Sequence, residues 1–218
     1  DLPLVLAHDA NAAAVAEWWV GAGSAGRYSS MLSFIGGQGV GAGIILDNGK
    51  ILTGRLGTAG EIGHHSIRFD GPQCECGNRG CLELYCSTPA IKRRYQEEMA
   101  RRGGPSDERD VSFAEIVRRY RDGEDAATAV VAETAGFVAQ GLANVVNILN
   151  PDLIVLGDEI IALGDPFVQL VRDRIRPLLV PEIYSAFDVV RSAFGEDATI
   201  RGMAMIVAED AMSLRTVE

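Results

Sequence analysis

Long hydrophobic runs and an excess of basic residues are both missing from this sequence. No apolar run approaches the ~18 residues that a membrane-spanning helix needs, and no signal peptide opens the chain. The 218 residues carry 20 Lys and Arg against 30 Asp and Glu, a net charge of −10. Binding to nucleic acid requires cations that neutralise phosphates. We therefore expect no membrane contact and no nucleic-acid contact by this stretch of chain itself.

Cysteine is also scarce, and its distribution is uneven. The four cysteines, Cys74, Cys76, Cys81 and Cys86, fall within thirteen residues. Since nothing in the sequence indicates secretion, this clustering favours metal ligation in a reducing cytoplasm over disulfides. A hydrophobic content of 47% and a charged content of 23% are typical of a globular domain. Because the chain begins at Asp1 and runs directly into an apolar segment, we expect it to be a fragment.

Alternating patterns predict an α/β class with a mixed sheet. An Asn-Gly pair predicts a hairpin turn over 47–50, and the glycines of 36–43 and 57–81 predict a corner and a long loop. Strands are predicted at 4–7, 31–35, 44–46, 51–52, 153–157 and 189–190. Helices are predicted from the Ala-rich segment ending at 20 and at 88–102, 112–121, 125–149, 166–176 and 202–214, with a break at 103–105.

One histidine and three cysteines have the spacing of a zinc site. His64, Cys74, Cys76 and Cys81 offer a complete tetrahedral shell, which leaves no open position and predicts a structural rather than a catalytic Zn²⁺. The alternatives are a cluster of free thiols and a disulfide with Cys86, which we otherwise expect to be a small buried hydrophobe. Chemistry alone does not choose between His64 and the adjacent histidine as the ligand.

These residues resemble the ROK family (repressors, open reading frames and sugar kinases). The resemblance lies in Gly60-Glu61-Ile62-Gly63-His64 and in Cys74-Glu75-Cys76-Gly77-Asn78-Arg79-Gly80-Cys81-Leu82-Glu83. It implies the actin-like ATPase (ribonuclease H-like) fold. It further implies that residues 1–218 form the C-terminal, sugar-binding domain with a zinc loop over 60–83, that the N-terminal part of the family fold is absent, and that His64 is the metal ligand.

The resemblance also implies roles for residues near the start of the chain and in the zinc loop. His8-Asp9-Ala10-Asn11 matches the family's sugar-contact motif, so sugar contacts are expected from Asp9, Glu61, His64 and Glu83. In a kinase, Asp9 would be the catalytic base that takes the sugar's proton. The phosphate loop of the family corresponds to Gly39, Gly41 and Gly43. Judged without the family, Asp9 is interpreted as a helix cap, and the two glutamates are interpreted more readily as solvated loop charges than as ligand contacts.

Three departures from the family's kinases favour a regulator. The glycine loop has no Ser or Thr, His8 replaces an Asn, and Asp158-Glu159 stand where the kinases have a Gly-Gly pair against adenosine. The kinases' first phosphate loop is not in these residues either. We therefore predict the sugar-sensing, zinc-containing effector domain of a ROK transcriptional regulator, which would be a homo-oligomer in the cytoplasm. Such a regulator would contact DNA only through an N-terminal domain outside this chain.

Two other functions remain open at this point. One is an ATP-dependent, glucokinase-like ROK sugar kinase with ATP and Mg²⁺ as cofactors. The other is a zinc-held interaction module without a small ligand. The basic runs Lys92-Arg93-Arg94 and Arg118-Arg119 are interleaved with acidic residues, which is typical of a solvated helix face rather than of a DNA contact. Trp18 and Trp19 are adjacent on one predicted helix, so they cannot both face the core.

Overall fold

The computed structural model describes residues 4–103, 111–183 and 187–215. The strands are β1 (Met31–Gly36), β2 (Val40–Leu46), β3 (Lys50–Ile51), β4 (Leu153–Gly157) and β5 (Asp188–Arg191). The helices are α1 (Asp9–Val20), α2 (Glu83–Cys86), α3 (Thr88–Arg101), α4 (Phe113–Arg121), α5 (Asp125–Leu149), α6 (Asp165–Ile175) and α7 (Ala198–Arg215). Short 3₁₀ turns connect several of them.

The described strands form one mixed sheet in the order β3-β2-β1-β4-β5. β1, β2 and β3 are antiparallel neighbours, whereas β4 pairs in parallel with both β1 and β5. The β2–β3 hairpin turns through Asp47, Asn48 and Gly49, all with positive φ. This confirms both the hairpin and the mixed α/β class, because a parallel pair needs a crossover and an antiparallel pair needs only a turn.

Helices cover both faces of the sheet. Alternate residues of β1 point to opposite sides, so Met31 packs on the α1 face and Leu32 packs on the α5 face. On one side α7 packs outside α1, and on the other side α5 and α6 complete the main core. A smaller core joins α3, α4 and the start of α5 around Tyr95 and Ile116. The site described below lies at the end of this sheet where α1 begins.

α5 is the one described helix that is long and apolar enough to cross a membrane by length and composition alone. In this fold, 61% of its most apolar window is buried inside the protein. Val138, Leu142 and Val146 lie in the main hydrophobic core. α5 is therefore a core helix.

At the amino-terminal end of the fold, one predicted strand is absent and another begins earlier than predicted. Residues 4–7 form no strand, and Leu4 and Leu6 are 83% and 86% exposed, since no strand of the described residues pairs with them. The predicted corner at 36–43 is shorter than expected, because β2 already begins at Val40 and pairs with Gly36. Only residues 37–39 connect the two strands, so Gly41 and Gly43 are strand residues.

The predicted starts of α3 and α4 agree with the structure, whereas α7 begins at Ala198 and not at 202, because the 3₁₀ turn Gly195–Asp197 leads directly into it. Ser87 Oγ accepts a hydrogen bond from Ala90 N at the start of α3, and Ser112 Oγ accepts one from Glu115 N at the start of α4. The predicted break after α3 begins at Gly103, which has a φ of +73°, whereas residues 104 and 105 lie outside the described part of the chain.

The solvated-face interpretation of the basic runs is wrong for Arg94. Its side chain is only 10% exposed, and its guanidinium donates to the carbonyl oxygens of Tyr85 and Val130 and lies over the ring of Phe137. Burial lowers the pKa of Arg94 from its usual range. The interpretation holds for Arg118, which pairs with Glu115 and Asp122 at the surface. As expected, only one of the adjacent tryptophans faces the core. Trp18 packs on the hydrophobic cluster between α1 and the sheet, whereas Trp19 is 41% exposed.

Candidate functional site

A cavity of about 340 Å³ opens where the first turn of α1 meets the β1–β2 connection and the loop before α2. It brings together all four residues that the family resemblance connects with sugar. The lining residues are His8, Asp9, Ile35, Gln38, Gly39, Val40, Gly41, Glu61, His64, Glu83, Asp158 and Glu159. Five of these are carboxylates, and neither Lys nor Arg is among them.

The start of α1 places two of these side chains. His8 is the N-cap residue and its carbonyl accepts the first helical hydrogen bond, from Ala12 N, at 3.0 Å. Asp9 is the first helical residue, and its Oδ1 accepts a hydrogen bond from Ala10 N at 2.7 Å. Its side chain is 66% exposed at the mouth of the cavity. Asp9 therefore satisfies a helix-terminal N–H and still presents its second oxygen to a ligand.

Glu61 lies between two histidines in the cavity wall. Its Oε1 is 2.9 Å from Nε2 of His8, and its Oε2 is 4.0 Å from Nε2 of His64. The His8–Glu61 contact joins residues 53 positions apart in the sequence. This contact fixes the direction of the Glu61 carboxylate in the absence of a ligand, and no local sequence pattern predicts it.

Glu83 is held by the backbone of the glycine-rich connection. It begins the short helix α2, and its Oε2 accepts a hydrogen bond from Val40 N at 2.9 Å. α2 is in turn anchored by Arg94, which binds the carbonyl of Tyr85 at 2.6 Å. Glu83 is thus a fixed acceptor rather than a solvated loop charge.

Gly39, Gly41 and Gly43, which were expected to form a phosphate loop, do not all lie at the cavity. Gly39 and Gly41 line the cavity, but Gly43 does not. A Cβ at Gly43 would collide with the carbonyl oxygen of Ala10, so this glycine allows α1 to pack directly on β2. The loop proper is therefore limited to residues 37–39, and Gly43 serves packing.

Asp158 and Glu159 form one end of the cavity and also line a second cavity, of about 340 Å³, beside Phe194 and Glu196. Asp158 has φ +67° and ψ −158°, a backbone conformation that is almost exclusive to glycine. Burial is the main reason that the pKa of Asp158 is raised above its usual range. The residues expected to obstruct a nucleotide do lie at the cavity.

The metal-ligand candidates converge beside the cavity, and one of them, His64, also lines it. The donor atoms of His64, Cys74, Cys76 and Cys81 all lie within 4.8 Å of one another. The Sγ atoms of Cys76 and Cys81 are 3.6 Å apart, and Cys74 Sγ is 3.7 Å from His64 Nδ1. A tetrahedral ion with Zn–S bonds of ~2.3 Å holds two sulfurs about 3.8 Å apart. The cluster therefore has the donors and the spacing to hold a metal ion.

The remaining histidine and cysteine of this region stand apart from the cluster. His64 directs Nδ1 at the thiols and Nε2 at Glu61, whereas burial lowers the pKa of His65 and leaves its Nε2 without a hydrogen-bond partner in the described residues. Cys86 is completely buried and its Sγ donates to the carbonyl of Leu82, so it forms no disulfide with the other three.

The sequence analysis missed Glu17, a buried carboxylate that binds the segment after β5. Glu17 of α1 is 1% exposed, and its Oε1 accepts hydrogen bonds from Ser192 Oγ at 2.5 Å and from Ala193 N at 3.0 Å. Ser192 Oγ also accepts hydrogen bonds from the N–H groups of Phe194 and Gly195. Glu17 thereby fixes the segment that walls the second cavity, and only its position in an Ala-rich helix could have indicated burial.

Comparison with known proteins now gives the relationship. The model of the ROK family matches residues 1–210. A xylose repressor of Bacillus spizizenii is 31% identical over 210 residues, which are 96% of this chain and 51% of the repressor. A glucokinase of Thermotoga maritima is 30% identical over 211 residues, which are 94% of this chain and 65% of the glucokinase. The chain thus spans between half and two thirds of the length of these relatives.

A solved structure gives the same relationship for the fold. The crystal structure of a ROK family glucokinase from Streptomyces griseus, in complex with glucose and AMPPNP, superposes with a TM-score of 0.85 at 28% identity. The match covers 94% of this chain and 68% of that one. The mixed sheet with flanking helices is therefore ROK kinase-like, which is consistent with the actin-like ATPase fold. Repressor and kinase are nearly equally similar in sequence, so similarity does not separate them, but the match over almost the whole chain shows that this protein belongs to the ROK family.

Proposed function

We propose that this chain is the sugar-sensing effector domain of a ROK transcriptional regulator and that it binds its ligand without catalysis. The observation that carries the proposal is the composition of the cavity wall. Asp9, Glu61, His64 and Glu83 surround one space, whereas Asp158 and Glu159 close the end where a nucleotide would need cationic or neutral surroundings. Such a wall suits a neutral polyol, because each carboxylate accepts hydrogen bonds from hydroxyl groups.

Preorganisation supports sugar binding by these carboxylates. Glu61 is held by His8 at 2.9 Å, and Glu83 is held by Val40 N at 2.9 Å. Acceptors that are already fixed lose little conformational freedom when a ligand binds, which favours affinity and selectivity. An anionic sugar acid would face repulsion from the five carboxylates of the wall.

The metal in this proposal is a structural Zn²⁺ held by His64, Cys74, Cys76 and Cys81. Three thiolates and one imidazole complete a tetrahedral shell, so the ion would have no position for substrate. Glu61 lies three residues before His64, and Glu83 lies two residues after Cys81. The ion would therefore fix the chain segments that carry two of the proposed sugar contacts. His64 would bind through Nδ1 and direct Nε2 toward Glu61 and the cavity.

The wider setting of the domain belongs to the same proposal. Regulators with this domain would act in the cytoplasm as homo-oligomers and would bind DNA through an N-terminal domain that is not part of these residues. The match to the xylose repressor of Bacillus spizizenii covers 51% of that protein, so a regulator of that length has room for a further domain.

A sugar panel tests the binding proposal. Thermal unfolding is followed for the chain with neutral hexoses, pentoses, amino sugars and sugar acids. A ligand at 100 times its Kd adds about 2.7 kcal/mol to the free energy of unfolding. We expect a neutral sugar to stabilise the protein, and we expect Asp9→Ala with Glu83→Ala to abolish that shift. A shift that survives both substitutions would place the sugar elsewhere.

The second candidate is an ATP-dependent sugar kinase with Asp9 as the general base and ATP with Mg²⁺ as cofactors. The observation in its favour is the similarity to glucokinases, together with the exposed second oxygen of Asp9 at the cavity mouth. An enzyme-coupled ADP assay with the same sugars separates the two functions. We expect no turnover, whereas rates of ~1–100 s⁻¹, which are usual for kinases, would establish the second candidate.

A further inference from the structure

We propose that two of the protein's own carboxylates, Asp158 and Glu83, occupy the anion-facing surface of the glycine connection between β1 and β2, so that this site excludes ligands bearing a phosphate. The inference rests on the proposed function for the identity of the cavity as a sugar site. It extends that function by defining the ligand class as unphosphorylated sugars. It also assigns to Asp158 a role in specificity.

Two backbone N–H groups at the glycine connection already donate to acceptors within the protein. Gly37 N donates to Gly39 O at 3.0 Å, which closes the connection on itself. Val40 N, directly after the connection, donates to Glu83 Oε2 at 2.9 Å. A phosphate binds a glycine loop through such backbone N–H groups, and these two N–H groups already have partners in the protein.

The face of the connection at Gly37 is covered as well. The carboxylate of Asp158 lies so close that a Cβ at Gly37 would collide with Asp158 Oδ2. Gly37 therefore accommodates the Asp158 side chain rather than a ligand. A phosphate placed here would meet both the bulk of this side chain and its charge, and like charges in contact disfavour binding strongly.

The backbone of Asp158 shows that this placement is specific. A φ of +67° with a ψ of −158° is unfavourable for any residue with a Cβ. Directly after β4, this conformation turns the carboxylate toward the glycine connection, between the two cavities that Asp158 and Glu159 line. A glycine at position 158 would have no side chain to cover the glycine connection.

The nearby charges do not compensate for Asp158. Glu159, Glu196 and Asp9 are the charged groups that act on it, and all three are acidic. In the adjoining cavity Arg191 is the only basic lining residue, and it lies 3.9 Å from Asp165. An incoming phosphate would therefore find no unpaired cation among the lining residues.

The test measures binding of Mg²⁺·AMPPNP and of Mg²⁺·pyrophosphate by calorimetry to the full chain and three variants. Asp158→Gly removes both charge and bulk, Asp158→Asn removes charge only, and Glu196→Gln removes a carboxylate of the second cavity that does not contact the glycine connection. We expect Asp158→Gly to bind both probes at least about tenfold more tightly than the unmodified chain, with Asp158→Asn between them and Glu196→Gln unchanged.

Each other outcome overturns the proposal. Equal affinity of the unmodified chain and Asp158→Gly would show that Asp158 does not exclude phosphate. An equal gain in Glu196→Gln would show that overall charge is responsible, and a gain for AMPPNP without pyrophosphate would show that Asp158 acts on the nucleoside. Melting temperatures check that each variant is folded. Failure of the sugar panel, by contrast, would overturn the proposed function and leave the phosphate measurements valid.

Discussion

At the scale of single residues, one carboxylate oxygen of Asp152 accepts four hydrogen bonds. Its Oδ2 accepts from Ser29 N at 2.7 Å, Ser29 Oγ at 2.6 Å, Ser30 N at 2.9 Å and Ser30 Oγ at 3.1 Å. In return, Asp152 N donates to Ser30 Oγ at 3.0 Å. Because Asp152 precedes β4 and the serines precede β1, this carboxylate aligns the two central parallel strands.

The Asp152 contacts predict a pH-dependent contribution to stability. Hydrogen bonds from Ser29 are the largest cause that lowers the pKa of Asp152 below its usual value of 3.8. A group whose folded pKa is depressed stabilises the protein above the unfolded pKa, and that stabilisation is lost as the pH falls through the folded pKa. We expect Asp152→Ala to lower the free energy of unfolding by about 1–3 kcal/mol at pH 7, with the difference shrinking below about pH 4.

Denaturant unfolding at pH 7 and at pH 3.5 measures this effect. Asp173→Ala is the matched control, because Asp173 accepts one hydrogen bond, from Gln169 at the surface of α6, and we expect a loss below about 0.5 kcal/mol. A difference between the Asp152 variant and the unmodified protein that is the same at both pH values would contradict the role of the charged carboxylate.

At the scale of elements, the loop that carries the proposed metal ligands has little regular secondary structure to order it. Residues 65–81 contain no helix and only two isolated bridges, Ser66 with Cys81 and Gln73 with Arg79. Phe69 in the same segment is 90% exposed. A loop with so little apolar burial needs another source of order, which a structural metal ion supplies in small zinc domains.

The loop therefore predicts different effects for two cysteines of one short segment. We expect the purified chain to contain about one zinc per molecule, and we expect Cys76→Ser to lose the metal and to melt at a markedly lower temperature. Cys86→Ser should keep the zinc, because Cys86 lies within the core and not within the cluster. Metal analysis and thermal unfolding check both variants. A metal-free preparation that melts like the zinc protein would refute the structural role.

Elements with a strong local signal were predictable from sequence, and elements defined by tertiary packing were not. The 3.6-residue periodicity of residues 125–149 predicts α5 with the bounds observed. The glycines at 41 and 43 predict a loop but lie in β2, because Gly43 is needed for the close approach of α1. An apolar pattern in residues 4–7 predicts a strand, although a strand also requires a partner. Arg94 similarly looks solvated until α5 supplies its acceptors.

At the scale of the whole molecule, the site is assembled from segments distant in sequence. The spacing of His64 and the cysteines predicts the donor cluster that the structure shows, since all four donors belong to one loop. The contacts of His8 with Glu61, of Asp158 with Gly37 and of Glu17 with Ser192 join different layers of the fold. Sequence patterns describe neighbours on one element, so contacts between layers become visible only when the layers are packed.

The position of α1 between the sheet and the outer helix depends on the packing of α7 against α1. α1 carries His8 and Asp9 at its start and Glu17 near its end, and it is packed between the sheet and α7. Gly202 makes the closest approach, because a Cβ there would collide with the backbone carbonyl oxygen of Ala12. A backbone atom cannot rotate away as a side chain can, so α7 would have to move outward to accommodate any larger residue.

This contact predicts opposite effects for the same substitution in two helices. Gly202→Ala is expected to destabilise the protein by about 1–3 kcal/mol through overpacking, although alanine is the better helix former. Gly136→Ala in α5 is the control, because its Cβ would meet only the Arg174 guanidinium, a flexible group, at 3.0 Å. There the helix propensity should dominate and raise stability by up to about 1 kcal/mol. Denaturant unfolding of both variants distinguishes the cases, and a Gly202→Ala protein as stable as Gly136→Ala would show that α7 is not seated on α1 as described. Because Asp9 stands at the start of α1 and lines the cavity, the same outward movement of α7 would also weaken the binding of any ligand to Asp9.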